Sequence, residues 1–342
     1  MYERKKKMDD IRFVSKEEAL KAVKQDGLAL EYVSKELRGD KDVVLEAVKQ
    51  NGFALEYASD ELKGDREVVL EAVKQDGYAL YYASEELKRD KEVVLEAVKQ
   101  DGALLDASEE LKGDKEVVLE AVKKSGTALE DASEELKGDK EVVLEAVKQD
   151  GLALGYASDE LKKDKEVVLE AIKRDGNALK YASEELRGDK EVVLEAVKQE
   201  GYILYYASEK LKGDKEVVLE ALKHGDALAY ASEELKKDKE VVLGAVKRRG
   251  VSLRNASEEL RGNKEVVLEA VKRDGRALYY ASSELQEDED VKKEAQKSNK
   301  KLNDRNEERL KQEQIKEIKK QQQTIKQQEE QIQNLRTQNH QK

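Results

Sequence analysis

The sequence predicts an all-α protein: an α-solenoid of stacked two-helix repeats, followed by a C-terminal extended helix or weak coiled-coil tail. Three observations lead to this fold class. The phrase "KEVVL", or a close variant, returns every 24 or 25 residues over most of the 342-residue chain. The chain contains no proline, which would interrupt helices. A unit of this length cannot bury a core alone, so we expect neighbouring units to complete each other's core.

The repeat register divides the chain into three segments. An earlier unit begins at Ser15, and a degraded unit begins at Asp288, which makes eleven full units and a remnant. We predict a basic N-terminal leader at 1–14, a tandem-repeat array at 15–290 and a Gln/Lys-rich helical tail at 291–342. The ten units between these two begin at Asp40, Asp65, Asp90, Asp114, Asp139, Asp164, Asp189, Asp214, Asp238 and Asn263.

The unit from Asp65 to Arg89 shows the two predicted helices. Asp65 is a good N-cap residue, and the apolar residues at 68, 69, 72 and 73 form one wide helix face. Gly77 is expected to end this helix in a left-handed conformation. A second helix is predicted from about Tyr78, and Ser84 is the point where it can be interrupted, because the Ser84 side chain can cap a separate turn.

Two of the spacings are 24 residues instead of 25, in units 90–113 and 214–237. One missing residue rotates the following part of a helix by about 100°. We therefore predict bends or shortened helices near Ala103–Asp106 and His224–Asp226.

The unit "GDKEVVLEAVKQDGLALGYASDELKK", at residues 138–163, resembles a short tandem helical repeat family that is catalogued as a domain of unknown function. The resemblance covers about residues 15 to 287 and spans the whole unit. It implies an all-helical array. Because the family carries no assigned activity, the resemblance implies no functional residue.

Catalysis and metal binding are not expected. The chain has no cysteine, and its two histidines, His224 and His340, lie far apart in sequence. The recurring Asp stands where a helix begins, so helix capping accounts for it. The run "EDED" at 287–290 lacks the spacing of a calcium loop. We expect no catalytic residue, no metal ligand and no cofactor.

Charge and hydropathy bear on partners and location. Residues 291–342 hold 14 Lys and Arg against 8 Asp and Glu, a net charge of +6, whereas residues 1–290 carry a net charge of -18. An acidic array is a poor partner for phosphate groups, which disfavours nucleic acid. No apolar run is long enough for a membrane span, and no secretory signal is recognisable. These features predict a cytoplasmic protein.

Two positions of the second predicted helix vary while the rest of the unit barely changes. The first follows the Gly, and the second comes three residues later, so both lie on one helix face. A varied stripe on a uniform frame is typical of a binding surface, and tyrosine is enriched at interface hot spots. The alternative is drift at unconstrained exposed positions. The candidate partner-binding residues are Tyr78, Tyr81, Asn177, Lys180, Tyr202, Tyr205, Arg254, Arg276 and Tyr279.

The tail contains half of a coiled-coil seam. Ile318, Ile325 and Ile332 are seven residues apart, but of the companion positions three residues earlier only Ile315 is apolar. A single solvated helix and a self-associating helix both fit this pattern. We expect a monomeric array and at most a weak tail-mediated dimer.

The sequence thus favours a non-catalytic repeat scaffold that binds a protein partner along its surface. A structural spacer or tether with a self-associating tail is the first alternative. The regulatory part of an enzyme system is the second alternative.

Overall fold

A computed structural model describes residues 13–102 and 104–340, with side chains up to residue 323. The chain divides into two compact units, Met1–Gly225 and Asp226–Lys342. Residues 1–12 of the predicted leader at 1–14 lie outside the described residues. Ala103 also lies outside them.

Each repeat of the first unit opens with a long α-helix, and consecutive long helices pack against each other. These helices are Lys16–Gln25, Lys41–Gln50, Arg66–Gln75, Lys91–Asp101, Lys115–Lys124, Lys140–Gln149, Lys165–Arg174, Lys190–Val197 and Lys215–His224.

The predicted second helix is interrupted into two segments, which we call the middle helix and the short helix. The middle helices are 3-10 helices, at Gly27–Tyr32, Gly52–Tyr57, Gly77–Tyr82, Gly126–Asp131, Gly151–Tyr156, Gly176–Tyr181 and Gly201–Tyr206. The short helices are single turns, at Leu37–Gly39, Asp60–Lys63, Leu87–Arg89, Glu109–Lys112, Glu134–Lys137, Leu161–Lys163, Glu184–Arg187 and Glu209–Lys212. The interruption falls at the Ala-Ser pair, where Ala83 is extended and Ser84 accepts a hydrogen bond from the N–H of Leu87.

The long helices form for the reasons that the sequence predicts. The Asp65 carboxylate accepts hydrogen bonds from the N–H groups of Glu67 and Val68, which satisfies donors of the first turn. The apolar face at 68, 69, 72 and 73 is fully buried. Burial of this face between neighbouring long helices supplies most of the core.

The glycine after each long helix has a different role from the predicted one. Among the described residues, Gly102 alone adopts the left-handed conformation, with a φ of 71°. At Gly52 the backbone instead comes so close to the next repeat that a Cβ would lie 2.5 Å from the carbonyl oxygen of Ala72. The same clash with the Ala carbonyl 20 residues ahead recurs at Gly27, Gly77, Gly126, Gly151 and Gly201. The prediction of left-handed glycines is therefore wrong except at Gly102, and close packing between repeats is what requires glycine here.

Neighbouring repeats are also joined by backbone hydrogen bonds. The N–H of Ser84 donates to the carbonyl oxygen of Lys63 at 2.9 Å, and Ser133 donates to Lys112 at the same distance. Such a bond satisfies a donor that lies outside any helix, at the point where the short helix begins.

A ladder of ion pairs runs along the start of the long helices. Lys140 Nζ lies 2.7 Å from Asp164 Oδ2 and 2.7 Å from Glu166 Oε2, both in the following repeat. Hydrogen bonds from Lys140 chiefly lower the pKa of Asp164, and the N–H groups that Asp164 caps lower it further. The corresponding donors elsewhere in the first unit are Lys16, Lys41, Arg66, Lys91, Lys115, Lys165 and Lys190.

In both repeats with the 24-residue spacing the helices differ from those of the other repeats, as predicted. The long helix Lys91–Asp101 is one residue longer than its neighbours, and residues 104–107 form no middle helix. In the other repeat the middle helix is shortened to Leu228–Tyr230. The boundary between the two compact units falls in this second irregular repeat, at Gly225.

The second unit repeats the same elements and ends in a long helix. Its helices are Leu228–Tyr230, Leu235–Lys237, Lys239–Arg248, Gly250–Asn255, Glu258–Arg261, Lys264–Arg273, Gly275–Tyr280, Ser283–Glu287 and Glu289–His340.

The degraded repeat that begins at Asp288 folds as the last member of the stack. Asp288 accepts hydrogen bonds from the N–H groups of Asp290 and Val291, and it also pairs with Lys264 Nζ at 2.7 Å. Val291 and Ala295 are buried against the preceding repeat. The helix then continues without a break to His340, and its side chains from 300 to 323 are exposed.

Candidate binding surface

The two variable positions lie on the middle helices. In a 3-10 helix residues i and i+3 are eclipsed, so Tyr78 and Tyr81 stand on one face, while Ala79 and Leu80 between them are fully buried. The Asp76 carboxylate accepts the N–H of Tyr78 at 2.9 Å and fixes the start of the helix. Consecutive middle helices pack side by side before and after the irregular repeat 90–113, so within the first unit these positions form a row that is interrupted at that repeat.

An aromatic patch occupies one part of this row. We define the first aromatic patch as Phe53, Tyr78 and Tyr81, whose exposed fractions run from 36% to 62%. Tyr82 packs edge-to-face with both Phe53 and Tyr81, at centroid distances of 6.4 and 5.0 Å. These contacts hold large apolar surfaces in place although solvent reaches them.

Leu105, which is 60% exposed, is the second variable position of its repeat, and it was not identified as such from the sequence. The repeat 90–113 has one residue fewer between Gly102 and the buried Leu104, so counting from the glycine misplaces the second variable position. Counting backwards from Ser108 would have found Leu105.

A second aromatic patch consists of Tyr202 and Tyr205, which are 39% and 58% exposed. The Tyr202 hydroxyl donates to Asn177 Oδ1 at 2.9 Å, so two predicted site residues from adjacent repeats are in direct contact. Tyr205 packs edge-to-face against Tyr206, and Lys212 Nζ lies 5.7 Å from the Tyr205 ring centre.

The remaining candidate residues each contact a neighbouring side chain. Lys180 Nζ lies 4.5 Å from the ring centre of Tyr181. In the second unit, Arg276 pairs with Asp274 at 2.7 Å, and Arg254 lies 3.8 Å from Asp226. Tyr279 is 80% exposed, with its ring edge-to-face against Tyr280.

The residue directly after the second variable position is tyrosine in most repeats, as at Tyr57 and Tyr82, and it is partly buried. At Asp106 and Asp131, where the tyrosine is replaced, burial raises the pKa of the carboxyl. Two adjacent repeats therefore hold a carboxylate where the fold prefers an aromatic ring.

Part of the predicted tail seam is visible. Ile315 and Ile318 are both about half exposed, at 52% and 53%. The side chains of Ile325 and Ile332 lie outside the described residues.

In the part of the chain that the structure describes, no group of three or more His, Asp or Glu side chains is arranged to hold a metal ion. The helices of this part of the chain likewise include none that is both long and apolar enough to cross a bilayer.

Long α-helices, middle helices and short helices, stacked repeat upon repeat with a varied exposed row, define a helical tandem-repeat protein. The chain belongs to the family described as "Domain of unknown function (DUF4116)". Eight stretches match it, at 15–63, 65–112, 102–137, 139–187, 164–212, 189–230, 214–261 and 263–305.

Several of these stretches span two of the 25-residue repeats. No curated protein and no solved structure matches the chain.

Proposed function

We propose that the protein is a non-catalytic scaffold whose middle helices bind a protein partner. The observation that carries this proposal is the exposure of aromatic side chains at the variable positions of an otherwise uniform fold. Tyr81 and Tyr205 are more than half exposed, yet each is held by packing against the next tyrosine of its own repeat. A large, pre-ordered amphipathic ring loses little conformational entropy on binding, which is why tyrosine is favoured in interfaces.

The neighbouring charges support a partner with mixed apolar and polar side chains. Lys88 Nζ lies 5.7 Å from the Tyr81 ring, and Lys212 Nζ lies at the same distance from the Tyr205 ring. Each of these lysines also pairs with the glutamate three residues before it, so its charge is neutralised within the repeat. Each patch therefore combines an aromatic face with a lysine–glutamate pair, and such a surface fits a partner segment that carries apolar side chains next to polar ones.

Tyrosine substitution tests this proposal. Proteins that co-purify with the full chain are identified by mass spectrometry, and the affinity of each is measured with the purified partner. The double variants Tyr78→Ser with Tyr81→Ser, and Tyr202→Ser with Tyr205→Ser, are compared. Loss of an interface hot spot costs about 2 kcal/mol or more, so we expect affinity to fall roughly thirtyfold for at least one variant.

Thr127→Ala with Glu130→Ala is the matched control, because it changes the same two positions in a repeat without an aromatic patch. The control should retain the partner, and circular dichroism should show unchanged helix content in all variants. Retention of every partner by both tyrosine variants would exclude the row as the binding surface.

A tether that self-associates through its tail is the second candidate function. It is favoured by one observation: the terminal helix continues well past the stack with exposed Leu310, Ile315 and Ile318. Isoleucines that are seven residues apart can meet those of a second helix, although the glutamines between them weaken such a seam.

Light scattering separates this candidate from the first. In the full chain, the substitutions Ile318→Gln, Ile325→Gln and Ile332→Gln together remove the apolar seam of the tail at 291–342. We expect this triple variant to be a monomer. The unaltered chain should show a concentration-dependent dimer. A dimer that survives all three substitutions would place the contact in the array.

A further inference from the structure

The last repeats depart from the others at the end of the long helix. Most repeats have Gln followed by an acidic or amide residue before the glycine, as in Gln75–Asp76 and Gln149–Asp150. The last two full repeats have Arg248–Arg249 and Arg273–Asp274 at these positions, and the one earlier pair that contains arginine is Arg174–Asp175. The substitutions introduce cations into an otherwise acidic array, and they do so in adjacent repeats.

The fold of the second unit gathers these arginines around one cavity. Arg248, Arg249, Arg273 and Arg276 line an open surface cavity of about 320 Å³ together with Arg305 and the carboxylate of Asp274. Arg305 reaches the cavity because the terminal helix does not end where the other long helices end. Leu302 lies one turn before Arg305 on the same face and also lines the cavity.

Only part of this positive charge is neutralised. Asp274 forms a two-point contact with Arg276, which chiefly lowers the pKa of the Asp274 carboxyl. Arg249 lies 3.6 Å from Asp226. Among the described residues, no ion pair joins Arg248, Arg273 or Arg305 to a carboxylate.

Arg273 is also held in position. Its Nε donates to the carbonyl oxygen of Arg248 at 2.9 Å, so the side chain bridges two repeats at the cavity wall. A guanidinium that is fixed through one nitrogen can still present its other N–H groups to a ligand.

We propose that this cavity binds a compact anion with several phosphate groups, such as a linear polyphosphate or the phosphate chain of a nucleotide. Guanidinium groups donate paired hydrogen bonds to phosphate oxygens, and several converging arginines suit a ligand with adjacent charges. The volume suits a small ligand. The lining contains no aromatic ring on which a base would stack, so recognition rests on the phosphate groups. The proposal does not depend on the protein-binding row, although Arg276 belongs to both.

Calorimetric titration of the full chain with inorganic triphosphate, and separately with ATP, tests the proposal without added metal. We expect one saturable site per chain that weakens as salt is raised, because the arginines are solvent-accessible. Arg273→Gln and Arg305→Gln should each weaken binding about tenfold or more, which is typical of a lost hydrogen bond between charged groups.

Arg174→Gln is a matched control. Arg174 donates its Nε to the carbonyl oxygen of Gln149 at 3.0 Å, the same contact that Arg273 makes, but it belongs to the first unit and does not line this cavity. Gln is the common residue at this position, so both substitutions should preserve the fold, which circular dichroism checks.

Equal affinity for triphosphate and ATP would identify the phosphate chain alone as the ligand, and tighter ATP binding would identify a nucleotide. Absence of binding at low salt would overturn the proposal. So would equal weakening by Arg174→Gln and Arg273→Gln, or a glutamate-rich peptide that binds where triphosphate does not.

Discussion

Gly52→Ala is expected to destabilise the protein by roughly 3 kcal/mol, at the upper end of the usual cost of overpacking. The added Cβ would lie 2.5 Å from the carbonyl oxygen of Ala72 and 3.2 Å from the Cβ of Asp76. Both atoms belong to the next repeat, and the closer one is backbone. Relief of the clash therefore requires two repeats to separate, which also opens the apolar contact between their long helices. Urea unfolding followed by circular dichroism measures the change.

Gly64→Ala in the same repeat is the matched control. A Cβ at Gly64 meets the carbonyl oxygen of Glu61 at 3.4 Å, an ordinary van der Waals contact, and the backbone there is right-handed. Because alanine restricts the unfolded chain more than glycine, this variant should be neutral or up to about 1 kcal/mol more stable. Equal destabilisation by both variants would mean that loss of glycine itself, and not the contact between repeats, causes the effect.

Asp164→Ala is expected to cost about 2 kcal/mol because this residue performs two tasks. One carboxylate oxygen caps the helix through the N–H groups of Glu166 and Val167, and loss of a cap costs about 1 kcal/mol. The other oxygen receives Lys140 from the preceding repeat, and a partly exposed ion pair contributes up to about 1 kcal/mol.

Asp164→Asn separates the two tasks, since an amide oxygen can still cap. The protein already contains this arrangement: Asn263 accepts the N–H of Val266, and Lys239 of the preceding repeat pairs with Glu265. We expect Asp164→Asn to lose about half as much stability as Asp164→Ala. Asp159→Ala, at a highly exposed carboxylate of the same region, should change stability by less than about 0.5 kcal/mol. If Asn and Ala at position 164 are equally harmful, the cap contributes little.

The ladder of ion pairs along the long helices also predicts that the folded protein loses stability in acid. The folded pKa of Asp164 is lowered, chiefly by the hydrogen bond from Lys140, and the pKa values of Asp139, Asp189 and Asp214 are lowered in the same way. Their stabilisation is therefore present above the unfolded pKa of about 4 and is lost as the pH falls through the lower folded values. Urea titrations between pH 6 and pH 2 should show stability falling with pH, and less steeply in Asp164→Asn.

Local information in the sequence was sufficient for the repeat, the long helices and their caps. Asp65 and the apolar positions at 68, 69, 72 and 73 lie within nine residues of each other, and their spacing matches one helix turn. The split at Ser84 was also foreseeable, because a serine side chain competes for backbone donors over a few residues. The loss of the middle helix at one 24-residue spacing and its shortening at the other follow from the same local counting.

The role of the glycines and the ion-pair ladder became visible only in the tertiary structure. Gly52 meets Ala72, and Lys140 meets Asp164, across separations of 20 and 24 residues. A long-range contact depends on how closely the repeats stack, and no local pattern specifies that distance. The arginine cavity depends further on the unbroken terminal helix, which brings Arg305 beside Arg248 and Arg273. The sequence alone therefore determined each repeat and its exposed variable positions, whereas stacking decided which distant residues meet, because close packing between repeats selects those contacts.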